Sequence, residues 1–294
     1  DTVKATVEYA RAHEEEWGKH FRFTMTTNGV LLSDEYIKYF NENMDNCVLS
    51  LDGRKEVNDI NRLTVNGKGS YDYIVPKFLK LIEQRDKNKD YYVRGTFTRD
   101  NLDFSNDVLS IADLGVDSIS VEPVTAEDSD PYSLREQDLP QIFSEYEKLA
   151  KIMLKRKDFN FFHFNVDLSQ GPCVIKRMRG CGAGCEYVAV TPDGELYPCH
   201  QFVGKEEYRM GSVLTGDFDQ EIADRFAGLN IYTREDCQSC WARFYCSGGC
   251  SAANLNANGD MRKPYRLGCD MQKKRLECAI AMKAIEAGAA EIPE

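Results

Sequence analysis

Cysteines dominate the chemistry this chain can perform, and their placement is lopsided. Of eleven, only Cys47 lies in the first half; Cys173, Cys181, Cys185, Cys199, Cys237, Cys240, Cys246, Cys250, Cys269 and Cys278 all follow residue 172. Within that stretch Cys237-x2-Cys240-x5-Cys246-x3-Cys250 sits in CQSCWARFYCSGGC, and Cys269 follows after eighteen residues in Leu267-Gly268-Cys269. Thiolates two to five residues apart on turns can chelate one centre. Gly248 and Gly249 remove side chains that would hinder close approach to it. Eight well-placed cysteines make two four-thiolate sites, which suit either zinc ions or iron–sulfur clusters. Disulfides are disfavoured, because a dense cysteine set in a chain with no export signal points to metal in a reducing cytosol.

Flanking elements must hold these thiols. Residues 186–202 (EYVAVTPDGELYPCHQF) read as a β-hairpin around Asp193-Gly194, a favoured two-residue turn. Cys181 and Cys185 precede the hairpin and Cys199 falls on its second strand. A hairpin sets its start beside its end, so the three can converge.

Upstream the pattern alternates strand and helix. Strands are expected at 21–29, 47–53, 90–98, 117–123 and 159–168, and helices at 33–44, 72–85, 105–115 and 138–156, with Ser33 or Asp34 and Ser105 as N-caps and Gly115 as a helix end. Repeated β–α units imply a parallel sheet covered by helices. Along the strands one face is polar, with Thr24, Thr26, Asn28; Ser50, Asp52; Arg94, Thr96, Thr98; and Ser118, Ser120, Glu122. The other face carries Phe23, Met25, Leu49, Leu51, Val93, Phe97, Ile119 and Val121. Polar faces gathered on one concave side suit a barrel holding a polar ligand, whereas doubly wound sheets are apolar on both faces. A solvated open-sheet face is the plainer alternative. His163 is expected as a packed strand residue, and Cys47, Cys173 and Cys278 as small hydrophobes.

The 294 residues carry a formal net charge of −11, which disfavours nonspecific nucleic-acid binding, and no apolar run suits a membrane span. A cytoplasmic location is expected. The chain opens on Asp1 within an amphipathic helix, a pattern read as the C-terminal part of a longer protein.

The run Cys181-x12-Gly194-x4-Cys199, then Cys-x2-Cys-x5-Cys-x3-Cys, then Cys269, resembles the SPASM domain of radical S-adenosylmethionine (SAM) enzymes. TTNG (26–29), SLDG (50–53) and Arg62 with GKGSYD (67–72) resemble later parts of their partial (β/α)6 barrel. RGCGAGCEY (179–187), LYPCHQFVG (196–204) and CWARFYCSGGC (240–250) look most like maturases of SCIFF peptides, cysteine-rich ribosomal precursors that receive thioether cross-links. The resemblance implies an α/β fold: a barrel part at 1–172, a SPASM module at 173–270 and a C-terminal helix at 271–294. It implies two auxiliary [4Fe–4S] clusters, one on Cys237, Cys240, Cys246 and Cys269. The other would use Cys199 and Cys250, completed by Cys181 and Cys185, either of which could give way to an open iron for a substrate thiolate. Ser50 and Asp52 become candidates for the SAM ribose, Arg94 for its carboxylate (or a simple pair with Glu122), and His200 for a base. The SAM-cleaving Cys-x3-Cys-x2-Cys motif is not within these residues, so SAM and a third cluster are implied for a full-length enzyme and the segment alone is expected to be inactive. There, a 5′-deoxyadenosyl radical would take a hydrogen from a peptide carbon. A peptide cysteine would then form the C–S bond, with the leftover electron passing to the auxiliary clusters. Implied partners are a cysteine-rich precursor peptide and a reductant such as flavodoxin or ferredoxin. Alternatives are another SPASM maturase (sulfatase-maturase-like or quinohemoprotein-type), an iron–sulfur electron-transfer protein or a zinc-binding protein. His200, where sulfatase maturases carry Asp, argues against the sulfatase type.

Overall fold

Strand and helix alternate through the first half because apolar residues recur at period two and then at helical spacing. In the computed structural model, which describes residues 1–127, 129–168 and 178–290, the elements run α1 (Thr2–Trp17), β1 (Thr24–Thr27), α2 (Asp34–Asn43), β2 (Asn46–Ser50), α3 (Lys55–Asn61), α4 (Tyr71–Glu83), β3 (Asp90–Phe97), α5 (Phe104–Asp113), β4 (Ser118–Pro123), α6 (Leu139–Lys155) and β5 (Asn160–Phe161). The chain divides into two compact units, Asp1–Val124 with Lys148–His163, and Thr125–Glu147 with Phe164–Glu294.

The first unit is a five-stranded, all-parallel sheet in the order β1-β2-β3-β4-β5. Its register sets Leu49, Val93, Ile119 and Phe161 in one row, each at most 1% exposed. The neighbouring row joins Ser50, Arg94 and Ser120. An apolar face under helices and a polar face opposite therefore follow from the period-two pattern. Helix α2 starts where Ser33 accepts from the Tyr36 N–H at 3.3 Å, and α4 buries Ile74, Phe78 and Leu81.

Three local expectations need correction. Ser105 does not cap α5: Asp103 stands at the N-cap position, and Ser105 is buried inside the helix. The helix begins earlier because Phe104 is drawn into the core, stacked 4.4 Å from Phe97. The strand expected over 159–168 ends at Phe161 and becomes a 3-10 turn, Phe162–Phe164. Phe159 and Phe161 are buried at strand spacing, whereas the next buried aromatic, Phe164, follows three residues on, a spacing that suits a 3-10 turn, whose i and i+3 side chains align. His163 accordingly sits on that turn, with Nε2 3.0 Å from Ser120 Oγ.

The third correction concerns the hairpin, β6 (Ala189–Val190) with β7 (Glu195–Tyr197). Its loop has three residues, not two. Thr191 pairs with Glu195, and the Gly194 N–H donates to Thr191 O at 2.9 Å. Pro192 at the second turn position favours a type I turn, whose twist needs one further left-handed residue, supplied by Gly194 at φ +83°. A second hairpin, β8 (Gly211–Ser212) with β9 (Asp217–Phe218), completes a four-stranded antiparallel sheet. Short helices Glu235–Gln238, Arg243–Cys246 and Ser251–Asn258 and a long C-terminal helix, Arg266–Glu286, finish the second unit. Among the described residues, no helix is long and apolar enough to cross a membrane.

Candidate metal centre

The second unit packs its own small core, in which Phe202 meets Phe226 edge-on at 5.2 Å and Cys199, Tyr197, Tyr208 and Met261 are buried beside them. Around it the cysteines stand on element ends. Cys237 lies in the helix Glu235–Gln238, Cys246 ends the helix Arg243–Cys246, Cys250 caps Ser251–Asn258, and Cys269 lies in the first turn of the C-terminal helix. The turn after Cys246 is forced by Ser247, which adopts the left-handed conformation at φ 59°.

Cys237, Cys240, Cys246 and Cys269 all line one cavity of about 500 Å³, together with Trp241, Arg243 and Lys273. The backbone N–H groups of Gly248 and Gly249 act to lower the Cys246 thiol against the burial that raises it. Successive N–H groups aimed at one sulfur favour the thiolate. Burial pushes the Cys269 thiol up to about 12, with Cys246 and Cys237 adding to it. Burial likewise raises Cys237 and Cys246. Thiols so reluctant to ionise unaided are released by a bound cation, which takes the thiolate form.

Cys181, Cys199 and Cys250 form a second group. Burial raises Cys199, the Tyr187 hydroxyl acts to lower it, and Cys250 and Cys181 act to raise it. Burial raises the Tyr187 hydroxyl, and Cys199 and Cys181 add to it. Cys199 sits two residues beyond β7, not on it as expected, at the start of the 3-10 turn His200–Phe202. Cys185 is turned to other partners: its Sγ donates to Gly182 O at 3.4 Å and it lines a hollow with Glu186, Gln220 and Asp224. Cys47 and Cys278 are buried elsewhere, while Cys173 lies outside the described residues.

Among the described residues, no three Cys, His, Asp or Glu side chains converge closely enough for a single ion. Four thiolates at about 2.3 Å from one zinc would stand within about 4 Å of each other. A cubane binds each thiolate at a different iron, and four cysteines around one cavity fit such a group.

Residues 181–241 match the SPASM family, described as an iron–sulfur cluster-binding domain. The chain therefore contains a SPASM domain. It is 24% identical over 240 residues to a cysteine-type anaerobic sulfatase-maturating enzyme of Clostridium novyi, covering 78% of this chain and 63% of that protein. The mycofactocin maturase MftC of Mycolicibacterium smegmatis is 25% identical over 262 residues, 85% of this chain and 62% of that protein. The chain thus spans less than two thirds of the length of these curated relatives. The fold matches native anSMEcpe with bound AdoMet and Cp18Cys peptide at a TM-score of 0.75 and 17% identity, over 98% of this chain and 82% of that one. It also matches Streptococcus suis SuiB bound to S-adenosylmethionine at 0.58 and 16%, over 88% and 61%. The α/β, parallel-sheet expectation and the antiparallel cysteine-bearing module hold in this SPASM protein.

In the first unit the three residues picked for SAM differ in what they do. Asp52 is buried and already engaged, accepting from Arg62 Nε and Nη2 at 2.8 Å each and from the Thr96 N–H at 3.0 Å. Arg94, half-exposed, pairs with Glu122 at 2.5 Å. Ser50 is half-buried in the row with Arg94 and Ser120. Sequence reasoning missed Arg62 as the partner of Asp52, although it had singled out both residues. It also missed Tyr187, whose only signal was its place between the cysteines, and Arg234, taken up below.

Proposed function

We propose that this SPASM protein holds two auxiliary [4Fe–4S] clusters and is part of a cytoplasmic radical SAM maturase that forms a Cys thioether in a cysteine-rich precursor peptide. The observation that carries the cluster reading is the cavity lined by Cys237, Cys240, Cys246 and Cys269. Cys181, Cys199 and Cys250 would hold the second cluster, with the single hydroxyl of Tyr187 set near the sulfurs of Cys199 and Cys181. When bound, such clusters supply one-electron transfer at tuned potentials. The chain's residues supply the positions: one buried and three half-buried cysteines for the first set, and one buried and two exposed cysteines for the second. Cys185, with its thiol directed to Gly182, is the better candidate for the position left to a substrate thiol.

Anaerobic reconstitution with iron and sulfide counting tests the premise. About eight irons per chain are expected; two tightly held zincs and no iron would replace the reading with a zinc protein. Within the second set, Cys181→Ala should lose iron, whereas Cys185→Ala should keep the wild-type count. Equal loss from both would make Cys185 a ligand and leave no open iron.

For the peptide reading, the full-length protein with SAM and a reductant such as flavodoxin or ferredoxin should remove a pair of hydrogen atoms from a cysteine-rich precursor. The similarity to sulfatase-maturating enzymes favours a second reading, in which a substrate Cys or Ser is oxidised instead. His200 stands directly after Cys199, where sulfatase maturases carry Asp, and this disfavours the second reading. Mass analysis separates the two: a cross-link blocks alkylation of the substrate thiol, and oxidation yields an aldehyde that hydrazides capture.

A further inference from the structure

Arg234 is among the most deeply buried large side chains of the protein, 1% exposed, and lies three residues before Cys237. Its Nε donates to Met261 O at 3.3 Å and its Nη2 to Ser251 Oγ at 3.2 Å. Among the described residues Nη1 has no hydrogen-bond acceptor, and no carboxylate pairs with the guanidinium. Nη1 points into the turn between Cys246 and Cys250: a Cβ added at Gly248 would lie 2.2 Å from it. A buried cation held only by neutral acceptors is costly, several kcal/mol per ion, unless an opposite charge lies near. Burial does act to lower its pKa, and the groups that oppose this, in order, are Cys237, Cys246, Cys250 and Cys181. Two belong to each proposed cluster.

We propose that Arg234 is a counter-charge shared by both clusters, a positioning residue that raises the reduction potential of each. A [4Fe–4S] cluster with thiolate ligands is net negative, and reduction adds one more negative charge. A fixed cation in a site of low dielectric therefore favours the reduced form, and net charge and hydrogen bonds to sulfur are the levers that set such potentials. A guanidinium suits this place because it stays protonated when buried and carries spare donors. The small residue at Gly248 leaves the space that Nη1 occupies.

The inference rests on the two-cluster reading, and the test separates the two. Wild type, Arg234→Met and Arg234→Lys are reconstituted anaerobically, their iron is counted, and their clusters are titrated by potentiometry with paramagnetic resonance detection. Wild type without iron fails the cluster reading itself. With iron retained, Arg234→Met should show both clusters harder to reduce by at least tenfold in equilibrium constant, about 59 mV for a one-electron couple, and Arg234→Lys should recover most of the shift. Unchanged potentials in iron-replete Arg234→Met overturn the proposal, as does a shift of one cluster alone. Should Arg234→Met lose iron, Arg234→Lys and Arg234→Gln decide. Iron held by lysine alone supports a charge; iron held by glutamine as well, or by neither, overturns it in favour of hydrogen bonding or packing.

Discussion

Cys246→Ala is expected to cost the reconstituted chain one whole cluster, iron falling from about eight per chain to about four. The position is demanding for two reasons. Cys246 shares the cavity with Cys237, Cys240 and Cys269, and the Gly248 and Gly249 N–H groups favour its thiolate form. Alanine leaves the centre one ligand short. Cys47→Ala and Cys278→Ala are the matched controls. Cys47 is 1% exposed in β2 and Cys278 6% exposed in the C-terminal helix, so their loss should leave the iron count unchanged. Full iron in Cys246→Ala, with the characteristic absorbance intact, would remove that cavity from the ligand role.

The largest purely structural effect is expected at Arg54, in the first unit. Its guanidinium donates to both oxygens of Asp103 at 2.7 and 2.8 Å and, from Nε, to Asp107 at 2.8 Å, and the Asp107 side chain is fully buried. Asn101 adds a hydrogen bond to Asp107 at 3.0 Å. Arg54→Met would strand a buried carboxylate. Breaking such a pair costs about 3–5 kcal/mol, and the low end applies because Arg54 and Asp103 are partly exposed. The pH dependence has a definite sign. Asp107 is raised above the ordinary carboxylate range because burial outweighs Arg54 and Asn101. Its folded state therefore holds a proton more tightly than the unfolded chain. That contribution is fully present below the unfolded value, about 3.9, and is lost as pH rises through the folded value. Asp103 is the reverse: Arg54 holds it low, so its contribution is present above about 3.9 and fades as pH falls. Removing Arg54 abolishes the Asp103 contribution and raises Asp107 further. The variant's deficit in denaturant midpoint should be largest near neutral pH and shrink toward about pH 4. A deficit constant across that range would mean that packing, not charge, holds this cluster.

Much of the protein was legible in the chain itself, for local reasons. Period two fixes which side of a strand is apolar, so Leu49, Val93 and Ile119 announced the buried face, and Ser50 and Arg94 the polar one. Cysteine spacing announced the SPASM module, because ligands on short turns keep their separations along the chain. Even the Asp193-Gly194 turn was placed, and only its length was misjudged, since Pro192 and a left-handed Gly194 build a bulged loop as readily as a tight one. Folding in three dimensions decided who meets whom. Asp52 looked available for a ribose until Arg62 and the Thr96 N–H took up its oxygens. Arg54 gained two carboxylates some fifty positions away. Cys269 came to share a cavity with Cys237, Cys240 and Cys246, while Cys185, four residues from Cys181, turned to Gly182. Arg234, one more basic residue in the sequence, became a buried charge among thiols of both sets. Patterning encodes the face a residue presents; its partner and its degree of desolvation depend on which distant segments pack against that face, and no local spacing carries that information.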